Sequence, residues 1–112
     1  MLTFEWDDKK NKTNIEKHGI SFEEAITVFQ DDEALIIVDD THSQEEDRFV
    51  LIGFSYKANL LVVCHCYREK DSVIRIISAR KADRQESEEY AKRLWKHNTI
   101  FQKVKRILIQ SN

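Results

Sequence analysis

Apolar and polar positions along this chain follow two periods, and the switches between them mark the elements. Residues 2–6 (LTFEW) alternate and are rich in aromatics, which predicts a short first strand. Asp7 or Asp8 then caps a polar helix running to about His18, and Gly19 follows where a left-handed residue closes a helix. Residues 21–24 (SFEE) form a capping box, and the helix they open places Phe22, Ala25, Ile26 and Phe29 on one face, ending near Gln30. The rest of the chain is mostly strands. Strands are predicted over residues 34–39, 48–55, 59–69 and 72–81, with a polar loop at 41–47 and a hairpin-length KDS connection between the last two. Asp83 and Glu86 pair as N-cap and N3 of a final helix that carries Tyr90, Leu94 and Trp95. The order is β-α-α-β-β-β-β-α. It predicts an α+β domain: a mostly antiparallel five-stranded sheet with helices packed on one face.

Composition narrows the class. With 112 residues, 41% hydrophobic and 34% charged, the chain is long enough for one cored domain and too apolar for disorder. No apolar run is long enough to span a bilayer and the start does not read as a signal peptide, so a cytoplasmic protein that needs no membrane is expected. Cys64 and Cys66 lie one residue apart on a strand and are expected to be reduced. The CHC run they make with His65 is not a metal chelate, because a strand points His65 away from both thiols; no metal and no cofactor are expected. The net charge of −2 hides an asymmetry. Residues 1–50 hold 5 Lys/Arg against 14 Asp/Glu, a balance of −9, and residues 51–112 hold 13 against 6, a balance of +7. Such asymmetry fits nucleic-acid contact or an acidic partner surface, or simply halves that interleave in the fold. The domain is read as residues 1–97. Residues 98–112 are read as a C-terminal amphipathic extension, with Ile100, Phe101, Val104, Ile107 and Leu108 at helical spacing between Lys103, Lys105 and Arg106.

The last hairpin raises the chemical question, because its strands carry guanidinium groups. If Glu69 faces Val73, then Tyr67 faces Arg75, His65 faces Ile77 and Val63 faces Ala79. That register makes Leu60, Val62, Cys64, Ile74 and Ile76 the core face. It leaves His65, Tyr67 and Arg75 on an open face, with Glu69 and Lys81 at its ends and Gly53 leaving room for a ligand. Metal-free RNA cleavage needs a base for the 2′-hydroxyl, an acid for the departing 5′-oxygen, and cations for the charge on phosphorus. His65 or Glu69 can serve as base, Tyr67 or protonated His65 as acid, and Arg75, Arg68 or Arg80 as phosphate clamp. Lys81, Trp6, Lys17 and His18 are candidate RNA contacts. Each also has a structural reading: a satisfied surface network for the hairpin cluster, packing for Trp6, and favourable helix-dipole placement for Lys17 and His18. His42 sits in the acidic loop without an evident partner.

The blocks FEWDDKKNKTNIEKHGISFEEAITVF, RFVLIGFS, LLVVCHCYRE and IRIISARKADRQESEEY, in this order and separation, resemble the BrnT toxin family of bacterial type II toxin–antitoxin systems. The resemblance covers Phe4 to about Tyr90. It implies a RelE-like fold and a ribonuclease that cuts mRNA and arrests translation and growth. It further implies neutralisation by a BrnA-type antitoxin with a ribbon–helix–helix part, operator DNA being reached only through that antitoxin. The alternative is a non-catalytic module that binds RNA or antitoxin and acts in operon autorepression.

Overall fold

A computed structural model of the chain describes residues 2–39 and 47–96. The elements are β1 (Thr3–Glu5), α1 (Asp8–His18), α2 (Phe22–Ile26) continuing as a 3₁₀ turn (Thr27–Gln30), β2 (Leu35–Asp39), β3 (Arg48–Phe54), β4 (Leu60–Arg68) and β5 (Val73–Lys81). A third helix, α3, covers residues 84–96. The predicted extension and His42 lie outside the described residues. No helix among the described residues is long and apolar enough to cross a membrane.

Local chemistry sets the helix ends. The Asp7 carboxylate accepts from the backbone N–H groups of Lys9 and Lys10 at 2.8 and 3.2 Å, and Gly19 closes α1 at φ 72°. Ser21 caps α2 by accepting from the Glu24 N–H at 3.0 Å. Only that half of the expected box forms. The Glu24 carboxylate turns inward instead, accepting from Ser55 Oγ at 2.6 Å and Asn59 Nδ2 at 2.8 Å. It thereby ties α2 to the turn between β3 and β4.

The strands form one mixed sheet in the order β1-β5-β4-β3-β2, antiparallel except for β1 beside β5. Because β1 is short, it covers only Val73 to Arg75 of β5. Farther along, the outward N–H and C=O of Ala79 need other partners. The buried Asn14 of α1 supplies them: its Nδ2 donates to Ala79 O at 2.7 Å and to Ile20 O at 2.8 Å, and its Oδ1 accepts from Ala79 N at 3.1 Å. One amide thus completes the sheet edge and docks α1 on it.

Helices cover both faces of the sheet, which corrects the expectation of one. On the first face Ile20, Phe22, Ala25 and Val28 pack on Leu51, Leu61, Val63, Ile74, Ile76 and Ala79. On the second face Tyr90 and Leu94 of α3 pack on Ile52, Val62, Leu35, Val50 and Leu60. These strand positions alternate, so β3 and β4 bury both sides over part of their length, Leu51 and Leu61 on one face and Ile52 and Val62 on the other.

The β4–β5 register also departs from expectation. Val63 pairs with Ala79 and Cys64 with Ser78, as predicted, but His65 then pairs with Ile76, Cys66 with Arg75, Tyr67 with Ile74 and Arg68 with Val73. Ile77 is left unpaired as a bulge residue. The bulge keeps Ile74 and Ile76 in the first-face core, each 1% exposed, and moves Arg75 to the opposite face from Tyr67 and His65. Glu69 is no strand residue at all. With Lys70 and Asp71 it forms a turn in which three successive non-glycine residues have φ of 49°, 56° and 70°. Gly53 admits no ligand either: a Cβ there would meet Val28 Cγ1 at 2.9 Å and Asp31 Oδ2 at 3.0 Å, because the 3₁₀ turn packs on it.

Candidate functional site

Two arrangements of polar side chains stand out on the sheet, one on each face. On the first face, β4 and β3 carry His65 into the core. The ring is fully buried, with Phe29 at 4.9 Å, Tyr67 at 5.4 Å and Phe49 at 6.1 Å between centroids. Nδ1 lies 3.2 Å from Val63 O, and Nε2 has no hydrogen-bond partner among the described residues. Burial lowers the pKa of His65 below its ordinary 6.5, with the Val63 carbonyl opposing weakly, so the imidazole is neutral at pH 7. His65 therefore belongs to an aromatic core rather than to an open face. It is out of reach of a substrate on either surface. Tyr67, half-buried against Phe49 and His65, keeps its proton because burial first, and the nearby Asp71 second, raise its pKa.

The second face carries guanidinium groups. β1 brings Glu5 beside Arg75 in the parallel ladder. The same carboxylate oxygen, Glu5 Oε1, lies 3.4 Å from Arg75 Nη1 and 3.9 Å from Arg68 Nε. All three side chains are partly exposed, at 42%, 30% and 45%. Arg75 faces the buried Cys66 across the ladder. Phe49 pairs with His65, so one residue farther along the register Arg48 adjoins Cys66 from the other side. The Arg48 Nε is buried and has no hydrogen-bond partner among the described residues. The corner thus concentrates three guanidinium groups and one carboxylate. It also lies close enough to Asp7 that Arg75 helps lower that carboxyl's pKa, after the larger effect of the Lys10 and Lys9 N–H bonds.

The remaining predicted residues are scattered. Arg80 is held by α3: its Nη1 and Nη2 donate to the two Glu86 oxygens at 2.7 Å each. Glu86 also accepts from the Asp83 N–H at 2.9 Å, and Asp83 from the Glu86 N–H at 2.8 Å, so the expected capping box forms around the arginine. That bidentate bond lowers the Glu86 pKa and raises that of Arg80, making Arg80 a clamp between β5 and α3. Glu69 sits in the hairpin turn and Lys81 is exposed where β5 ends. Lys17 and His18 are exposed in the last turn of α1. Trp6 packs edge-on against Phe22 at 6.2 Å.

The structure therefore unites Arg68 with Arg75 and separates both from His65 and Tyr67. Sequence reading missed Glu5 and Arg48. The parallel β1–β5 ladder that brings in Glu5 leaves no local signal, whereas Arg48 would have been found by reversing the two faces. Chemically the corner can hold a phosphodiester on paired planar donors, with a carboxylate at hand to accept a proton.

Comparison with known proteins places these features in context. A family model described as ribonuclease toxin, BrnT, of type II toxin–antitoxin system, matches residues 6–86. Among solved structures, that of the Brucella abortus ribonuclease toxin BrnT is similar: 24% identity over 75% of this chain and 100% of the other, with a TM-score of 0.56. None of the curated proteins compared with the chain matches it.

Proposed function

The chain belongs to the BrnT family of ribonuclease toxins of type II toxin–antitoxin systems, and from that premise we propose that it is a RelE-like, metal-independent endoribonuclease acting on mRNA at the Glu5–Arg68–Arg75 corner. The observation that carries this reading is the single Glu5 oxygen set between two guanidinium groups at 3.4 and 3.9 Å. Arg75 and Arg68 bind the scissile phosphate and stabilise the charge that builds on its oxygens, and Arg48, whose Nε has no hydrogen-bond partner among the described residues, adds a third donor. Displaced from its arginines by the phosphate, Glu5 accepts the 2′-hydroxyl proton. The 2′-oxygen bonds to phosphorus, the bond to the 5′-oxygen breaks, and water protonates the departing oxygen. The products are a 2′,3′-cyclic phosphate and a 5′-hydroxyl. Lys81, Lys17 and His18 contribute diffuse attraction to the RNA strand.

A BrnA-type antitoxin with a ribbon–helix–helix part neutralises the toxin and carries it to operator DNA. Induction of the chain alone, beside Arg75→Ala and Glu5→Gln, tests the cleavage. Growth arrest with new 2′,3′-cyclic phosphate ends, persisting in EDTA and absent from both variants, is expected. Intact RNA from folded wild-type protein would instead identify a module that binds without cutting.

A further inference from the structure

A separate pocket opens on the first face, away from the arginine corner. Its volume is about 450 Å³, within the range of about 300–1,000 Å³ usual for ligand sites. Among the described residues it is lined by Phe49, Tyr67, Asp47 and Asp71. The two rings meet edge to face at 5.3 Å and are backed by the buried His65, so the aromatic wall is rigid. Neither Asp47 nor Asp71 makes an ion pair among the described residues, although Asp71 is close enough to Tyr67 to raise its pKa. Two carboxylates facing one cavity repel each other and any phosphate. An aromatic wall with carboxylates at its mouth is instead complementary to a cation. A guanidinium suits it better than an ammonium, because it is planar, stacks on rings and donates to carboxylates in pairs.

We propose that this pocket receives an arginine side chain from a protein partner of the toxin. The identity of that partner as the antitoxin rests on the family's toxin–antitoxin pairing; the pocket itself does not depend on the cleavage chemistry. A nucleobase is the competing occupant, since a carboxylate also accepts from guanine.

The test uses the Arg75→Ala protein, which the proposed function expects to be produced without toxicity and which leaves the pocket residues in place. N-acetyl-arginine amide, N-acetyl-citrulline amide and GMP are titrated separately while the ring signals of Phe49 and Tyr67 are followed by NMR. Saturable shifts with the arginine probe are expected, about tenfold weaker with the uncharged citrulline probe and about tenfold weaker after Asp71→Asn or Asp47→Asn. No saturable shift, equal response to citrulline, or preferential binding of GMP at these rings would overturn the proposal. Failure here leaves the cleavage assay untouched, and failure of cleavage leaves this titration untouched.

Discussion

The two faces of the sheet are built from the same strands and obey different rules. The first is an apolar layer in which even a histidine is treated as an aromatic: His65 sits among Phe29, Phe49 and Tyr67 with one nitrogen unsatisfied among the described residues. Leaving that nitrogen unpaired costs about 1–3 kcal/mol, which the ring's own burial offsets. The second face is apolar only under α3, around Ile52 and Val62, and gives way to Arg48, Arg68 and Arg75 toward the hairpin end. Guanidinium groups persist there because they stay partly hydrated and because Glu5 answers two of them. The lesson is that titratable character alone does not locate chemistry. The histidine, the more usual proton-transfer residue, is core, and the proposed site lies behind it on the other face.

Substitutions can break this contrast. On the second face, Arg75→Ala should lower the cleavage rate about 100-fold or more, about 2.7–4 kcal/mol in the transition state, with little change in melting temperature. A cleavage assay beside thermal unfolding checks both halves of that statement. On the first face the pattern reverses. His65→Ala empties an aromatic cage and should destabilise the fold by about 2–4 kcal/mol by denaturant titration, while His65→Phe retains most of the stability and the activity. An inactive but fully stable His65→Phe protein would return His65 to the catalytic list. Asn14→Ala leaves the Ala79 N–H and C=O without their partners and should cost about 1–3 kcal/mol, again without selective loss of activity.

A smaller effect comes from pH. The folded-state pKa of His65 is depressed, so below its ordinary 6.5 the unfolded chain binds a proton that the folded chain refuses. Stability should therefore fall as pH drops from 7 toward 5, by at most about 1.4 kcal/mol per pH unit for one proton. His65→Phe should flatten that slope in pH-dependent urea unfolding. A profile unchanged by the substitution would mean that other groups govern it.

Much of the architecture was legible in the chain itself. The caps at Asp7, Ser21 and Asp83 and the stop at Gly19 act over three or four residues, so local hydrogen-bonding chemistry reveals them. Short apolar runs bounded by polar turns likewise marked every strand to within one or two residues. What failed was the assignment of faces. Alternation along β4 correctly separated Cys64 and Cys66 from His65 but did not say which set points to α1 and α2. Because α3 covers the other side in part, both sets contain apolar residues and hydropathy alone does not choose between them.

The sequence by itself therefore determined the elements, their order and their caps, because each depends on residues a few positions apart. Only the tertiary structure decided three things. The Ile77 bulge places Arg75 opposite Cys66 instead of Tyr67, because Ile74 and Ile76 must both reach the core. The parallel pairing of β1 with β5 delivers Glu5 to Arg75 across 70 residues of chain. The packing of α1 and α2 on one particular face encloses His65. All three depend on which distant surfaces bury the most apolar area together, a property of the assembled layers that no short stretch of sequence contains.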